Sequence, residues 1–299
     1  MKYTSASEFF KQRYGTKVYR LSLSSGCSCP NRDGTISTGG CTFCSEGGSG
    51  DFASKGDDIR KQIEDAKKKV DAKFPKNIGI NERKYIAYFQ SYSNTYGDAD
   101  RLKKLYMDAF HEPGIVALSI GTRPDCFNDE IYEMISELVV QGDVYIELGL
   151  QTIHEKSAKA INRGYELSVF DKTYQRLKQI GAIVIVHVIL GLPDETVDEM
   201  LETVDYLARL TPRLDGIKLQ LLHVLKGTEL GRRFMDNPFK VFTLEEYCYV
   251  VGECLKRLPK EIVIHRITGD GPKKLLIAPL WSADKKRVLN TMNQYIQKL

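Results

Sequence analysis

Apolar positions along this chain switch repeatedly between a period of two and a period of about 3.6, the marks of strand and helix. On that basis residues 17–23, 84–90, 115–120, 143–150, 183–190 and 214–222 read as strands. A helix at 56–74 carries Ile59, Ile63, Ala66 and Val70 on one face, and others follow at 98–111 and at 128–140 behind Asn128 as N-cap. Helical material fills 154–180, broken near Gly164, and 194–210, where Val197, Leu201, Val204 and Leu207 share a face. Six strand–helix units in series imply an α/β fold with a parallel sheet, curled or closed. Its site is expected at the C-terminal ends of the strands.

After residue 222 the rhythm loosens into a helix at 244–258, one more short strand at 262–267 and a closing helix at 282–297. We therefore expect an N-terminal segment 1–16, a core 17–230 and a C-terminal extension 231–299 packed against the core. Neither internal repeats nor low-complexity tracts interrupt the pattern.

Within the core, one alternation is unusual. Period two places Tyr145, Glu147, Gly149 and Gln151 on a single face of the fourth strand, with His187 in the fifth and Lys218 and Gln220 in the sixth. Polar rows inside an apolar scaffold are costly unless they meet a ligand or one another. A buried hydrogen-bond network would satisfy one such strand. Convergence from three strands favours a site.

Composition changes this picture only modestly. The 299 residues allow two domains or one α/β barrel, and 42% hydrophobic with 27% charged residues is ordinary for a globular protein. A net charge of +4 permits a polyanionic partner without demanding one. Seven cysteines, an odd number, argue against a disulfide framework, and the first residues lack the apolar run of a signal peptide. No stretch reaches membrane-spanning length; residues 182–190 come closest and contain His187. A reducing cytoplasm is the expected setting.

The candidate chemistry lies between the first strand and the first long helix. Cys29-Pro-Asn-Arg-Asp-Gly34 is followed by Gly39-Gly-Cys41-Thr-Phe-Cys44-Ser-Glu-Gly-Gly48, three cysteines within sixteen positions of a Gly- and Ser-rich loop at 26–51. Such a loop can wrap a metal centre, because its glycines let backbone and thiolates converge. Three thiolates suit an iron–sulfur cluster with one iron left open. The alternative is a zinc site completed by Cys27 or a distant histidine. Cys126, Cys248 and Cys254 have no cluster spacing and read as packing residues.

The loop resembles that of radical S-adenosylmethionine enzymes, in which three cysteines hold a 4Fe–4S cluster. The cluster's open iron binds the amino and carboxylate groups of the cofactor's methionine moiety. The commonest spacing there is C-x3-C-x2-C, whereas eleven residues separate Cys29 from Cys41 here. A long first gap occurs in the Elongator catalytic-subunit-like branch, and the wording of this loop looks like the bacterial YtqA/YhcC group. Ser119–Asp125, Glu147–Thr152, Asn162-Arg163-Gly164, His187–Thr196, Leu225–Leu230 and Thr268–Pro272 resemble further blocks of that group.

The resemblance implies a partial (β/α)6 TIM-like barrel carrying one 4Fe–4S cluster and S-adenosylmethionine. It implies Cys29, Cys41 and Cys44 as ligands, with Cys27 left out, and the backbone of Phe43 near the adenine. Gln90, Ser91 and Ser93 would meet the methionine amino group, Arg163 its carboxylate, Gln151 the ribose, and Ile189 and Gly191 the adenine.

It also implies one-electron reduction by a donor such as flavodoxin or ferredoxin, and action on tRNA. The expected reaction converts 5-carboxymethylaminomethyl-2-thiouridine to 5-aminomethyl-2-thiouridine at the wobble position. Hydrogen abstraction from the glycine-like methylene and a further one-electron oxidation would give an imine, whose hydrolysis releases glyoxylate. Arg123, Lys226 and Arg266 are candidates to hold the carboxylate, with Glu147, His187, Lys218 and Gln220 as further substrate-facing residues. A radical enzyme for a small metabolite and a non-catalytic zinc protein that binds nucleic acid are the alternative readings. Lysine runs at 67–69, 273–274 and 285–286 read as solvated faces able to meet phosphates.

Overall fold

The computed structural model describes residues 3–48, 53–54, 56, 58–269 and 271–299. The end of the expected cluster loop, at 49–51, and Asp270 of the Thr268–Pro272 block lie outside the described residues.

The chain runs α1 (Ala6–Tyr14), β1 (Val18–Leu23), α2 (Ile59–Val70), β2 (Lys84–Phe89), α3 (Ala99–Phe110), β3 (Ile115–Thr122) and α4 (Asp129–Gln141). It continues with β4 (Asp143–Gln151), α5 (Glu155–Ala160), α6 (Leu167–Gln179), β5 (Ile183–Leu190), α7 (Val197–Ala208) and β6 (Gly216–Leu221). The last part comprises β7 (Val224–Leu225), α8 (Glu229–Asp236), α9 (Leu244–Arg257), β8 (Val263–Arg266), β9 (Leu276–Ala278) and α10 (Lys285–Gln297).

Seven strands form one parallel sheet in the order β1-β2-β3-β4-β5-β6-β8, curled into a partial barrel with helices outside. Each crossover buries an apolar helix face on the sheet, as parallel strands require. In β4 the two faces divide cleanly. Val144, Ile146, Leu148 and Leu150 pack in the main core, while Tyr145, Glu147, Gly149 and Gln151 turn to the barrel interior.

Two features depart from the expected architecture. The sheet has a seventh strand, β8, which pairs in parallel with β6 through Gly216↔Val263, Ile217↔Ile264 and Lys218↔Arg266. A boundary at residue 230 would therefore cut the barrel, since α9 is the crossover into its last strand. β8 is only four residues long, too short for periodicity to separate it from an extension.

The second departure is α1. The segment 1–16 contains a helix opened by a capping box between Ser5 and Glu8 and closed by Gly15 in the left-handed conformation. Its Phe10 packs with Ile86, Ala117, Tyr145 and Ile185, the inward residues near the strands' N-terminal ends. Ser5 bridges to Ile264 of β8. The helix thus fills the N-terminal mouth of the barrel and leaves the opposite end for chemistry.

At that end β7 and β9 form a short antiparallel ribbon. A smaller apolar cluster of Ile161, Ile189, Leu192, Leu222, Val224, Leu230 and Ala278 sits beneath it, with Phe43 of the cysteine loop packed against it. Among the described residues, no helix is long and apolar enough to cross a membrane.

Candidate active site

The cysteine loop is held by backbone bonds to two helical elements. Thr42 N–H donates to Ile161 O at 3.0 Å just beyond α5, and Leu230 N–H of α8 donates to Thr42 O at 2.8 Å. Inside the loop, Gly40 N–H donates to Asn31 O at 2.6 Å. That bond closes residues 32–39 into a side excursion, so the path from Cys29 to Cys41 runs through Pro30, Asn31 and Gly40. The long gap becomes an effective three-residue spacing.

Arg32, at the base of the excursion, donates to Cys44 O at 2.9 Å and Ser45 O at 2.6 Å. Gly40 has φ +76°, and a Cβ there would stand 2.8 Å from Arg32 Nε. Only glycine fits that position.

Cys29, Cys41 and Cys44 line a single cavity of about 260 Å³ at the C-terminal ends of the strands. Their thiols bear on one another. Burial, with the neighbouring Cys44 and Cys29 thiols adding to it, pushes Cys41 up to about 12, while Arg123 pulls the other way. A bound cationic centre would relieve that mutual opposition. Asn31 Nδ2 lies 3.6 Å and Arg123 Nη1 3.9 Å from Cys41 Sγ, donors that suit a thiolate. The residues therefore fit a cluster. Cys27 is buried in the main core, outside the cavity lining, with Arg101 Nη2 at 3.3 Å from its sulfur.

Of the remaining expected residues, Phe43, Gln90, Ser93, Gln151 and Ile189 line the same cavity, as do Arg123, Glu147, His187, Lys218, Gln220 and Arg266. The Ser91 and Ser93 hydroxyls are buried without a hydrogen-bond partner of full geometry, and Ser93 lies beside the Cys126 thiol. Ser93 lines the cavity, whereas Ser91 is outside the lining. Tyr92 and Gln151, both in the lining, hold φ of 59° and 68°, backbone conformations costly for such residues.

Four expected residues are not in the lining: Ser91, Gly191, Lys226 and Arg163. Lys226 is exposed on the surface. Arg163 is a correction of substance. Its guanidinium is 1% exposed and donates to Tyr165 O at 3.0 Å, Leu150 O at 3.3 Å, Thr152 O at 2.7 Å and Glu155 Oε1 at 3.1 Å. With those bonds made and its face against the Tyr165 ring at 4.5 Å, the fork ties the end of β4 to α5. It does not present itself to a carboxylate in the cavity.

The floor is a charged layer drawn from several strands. Glu147, with its side chain fully buried, takes a hydrogen bond from Ser119 Oγ at 2.8 Å, pairs with Lys218, lies 2.8 Å from His187 Nε2 and 3.4 Å from Arg20 Nη2. Lys218 Nζ also donates to Tyr88 OH at 3.1 Å. Burial alone would raise the Glu147 carboxyl, but the Lys218 and Arg20 charges and His187 outweigh it and hold it well below the usual range. Burial, with Arg20 and Arg266 adding to it against the pull of Glu147, brings Lys218 down to about 7. Burial and the Lys218 charge bring His187 down to about 4, against Glu147.

The sequence reading missed Tyr88, Tyr92, Tyr165, Arg32 and His223, all in the lining. Tyr88 was legible in principle, because it alternates with outward Ala87 and Phe89. His223 was not: it lies beyond β6, where Gly269 and Gly271 approach its ring so closely that any Cβ would clash.

Comparison with known proteins agrees with this geometry. A family model described as the radical SAM superfamily matches residues 31–207, and one described as the radical SAM C-terminal domain matches 214–298. The chain is 38% identical to the YtqA protein of Bacillus subtilis over 297 residues, covering 99% of this chain and 90% of that protein. It is 29% identical to a tRNA uridine(34) acetyltransferase of Methanocaldococcus infernus over 170 residues, covering 54% of this chain and 30% of that protein. Its fold matches the solved structure of the archaeal Elp3 of Methanocaldococcus infernus with a TM-score of 0.67 at 18% identity, over 93% of this chain and 63% of that one. With three loop cysteines facing a cavity at the strand ends of a partial barrel, the chain belongs to the radical S-adenosylmethionine superfamily, enzymes whose cofactors are a 4Fe–4S cluster and S-adenosylmethionine.

Proposed function

We propose that this enzyme modifies the wobble uridine of tRNA, converting 5-carboxymethylaminomethyl-2-thiouridine to 5-aminomethyl-2-thiouridine. The observation that carries the proposal is the joining of three loop cysteines and a cationic strand-borne floor in one cavity, so that a charged substrate group and the cofactors would share one chamber. The partial likeness to a protein named for tRNA uridine(34) chemistry supports it.

In this reading Cys29, Cys41 and Cys44 hold the cluster, which with S-adenosylmethionine supplies one electron and a 5′-deoxyadenosyl radical for hydrogen abstraction. Gln90 and Ser93 offer polar groups to the methionine end, Gln151 to the ribose, and Phe43 and Ile189 give the adenine an apolar wall that keeps water out. A second cleft beside the loop is lined by Arg32, Lys159, Arg232 and Arg233 together with Glu46 and Glu229. With Arg232 and Arg233 paired to Glu229, Lys159 is the residue that would meet a phosphate of the RNA. An electron donor such as flavodoxin or ferredoxin completes the system.

The test is nucleoside analysis of bulk tRNA from a deletion strain lacking any second route. The carboxymethylaminomethyl nucleoside should accumulate and its aminomethyl descendants disappear. An unchanged profile would move the substrate to a small metabolite.

A further inference from the structure

Three cationic side chains, Arg20, Lys218 and Arg266, lie about the floor of the cavity, and among the described residues Glu147 is the carboxylate paired there, with Arg20 and Lys218. His187 and His265 are held neutral there by burial and neighbouring cations. Arg20 is committed, with Nη2 at 2.9 Å from His265 Nδ1 and 3.4 Å from Glu147. Lys218 spends two of its three N–H bonds on Glu147 and Tyr88. Arg266 is different. It lines the cavity, is opposite Lys218 in the β6–β8 register, and makes no side-chain hydrogen bond or ion pair to any described residue.

A guanidinium on a half-buried cavity wall with no partner among the described residues is open to an anion that takes its fork. The other two basic candidates are unsuited. Arg123 already holds Asp125 through both arms, at 2.9 and 2.7 Å, and its Nη2 also donates to Arg163 O at 2.8 Å. Lys226 is exposed and outside the lining.

We infer that Arg266, with the remaining N–H of Lys218, forms a carboxylate-binding subsite on the cavity floor that positions the substrate. A planar two-oxygen anion matches the guanidinium fork, and an ammonium beside it adds a third donor. This rests on the reading of the cavity as the place where the carboxymethylaminomethyl side chain reacts. Three anions could in principle take the fork: the substrate's carboxylate, the methionine carboxylate of the cofactor, or a phosphate.

The test uses the anaerobically reconstituted enzyme as wild type, Arg266→Gln and Arg266→Lys. Each is titrated with S-adenosylmethionine, and with anticodon stem-loops carrying either the carboxymethylaminomethyl or the aminomethyl nucleoside. Wild type should prefer the carboxylate-bearing RNA by roughly ten- to a hundredfold, the scale of a charge-assisted contact. Arg266→Gln should lose that preference while keeping its iron content and cofactor affinity, and Arg266→Lys should keep part of it. A preference retained in Arg266→Gln overturns the subsite. So does a loss of cofactor affinity in that variant, which would give the fork to the methionine carboxylate. If wild type shows no preference, the tRNA reading fails, and the subsite is judged by calorimetry with N-methylglycine and inorganic phosphate. Carboxylate binding lost in Arg266→Gln would uphold it, and absence of carboxylate binding, or tighter phosphate binding, would overturn it.

Discussion

The amide of Gly40 donates to the carbonyl of Asn31 at 2.6 Å, and this one bond returns the chain to Cys41 with three effective residues between it and Cys29. The cysteine spacing that looks divergent in sequence is conventional in space. Residues 32–39 are an insertion closed at its base, and Arg32 secures that base by holding the Cys44 and Ser45 carbonyls.

Gly40→Ala should therefore impair cluster assembly. The added Cβ meets Arg32 at a left-handed φ, a strain on the order of 1–3 kcal/mol placed at the loop's closure. Gly39→Ala is the control, since a Cβ there would have nothing within 4 Å and its φ is unexceptional. Iron content after anaerobic reconstitution should fall in the first variant only.

Cys27→Ala should retain about four irons per chain, whereas alanine at Cys29, Cys41 or Cys44 should abolish the cluster. Cys27 faces the core and Arg101, away from the cavity. Loss of iron in Cys27→Ala with retention in Cys29→Ala would reverse the assignment.

Arg163→Ala should act on stability before it acts on cofactor affinity. Removing the fork takes a donor from the carbonyls of Leu150, Thr152 and Tyr165 and leaves the Glu155 carboxylate with the Leu167 N–H but without its cationic partner. Leaving buried acceptors short of a donor costs about 1–3 kcal/mol, and the half-exposed Glu155 adds little to it. Thermal unfolding should show a lowered Tm. An unchanged Tm with weakened S-adenosylmethionine binding would restore the carboxylate role.

Stability should rise with pH between about 4 and 6.5. His187 titrates near 4 in the fold and near 6.5 when unfolded, so within that window the unfolded chain binds the extra proton. The Glu147 carboxyl, held low, adds stability above its unfolded value that is lost as pH falls through its folded value. The His187 contribution is up to about 3 kcal/mol. Tm measured against pH should climb less steeply in His187→Asn than in wild type, and identical slopes would remove His187 as the cause.

Six strands were legible because each buries an apolar face under helices, and burial writes period two or a continuous apolar run into the residues. The inward row of β4 was legible for the same reason. α1 was not, since Phe10 is its one buried side chain, and β8 was read as a strand but, at four residues, carried no pattern that would place it in the barrel sheet.

The sequence alone determined which chemistry is present: three loop cysteines with their glycines, and polar residues at alternating strand positions. These depend on residue type and local spacing. Tertiary structure decided which of them meet. Lys218 and Glu147 are 71 positions apart and touch because the sheet curls. Arg163 and Arg123 are the same residue type, yet one ties the end of β4 to α5 and the other stands beside Cys41. A guanidinium's role is set by where its fork points and which acceptors reach it first, and those acceptors come from distant elements whose approach no local pattern encodes.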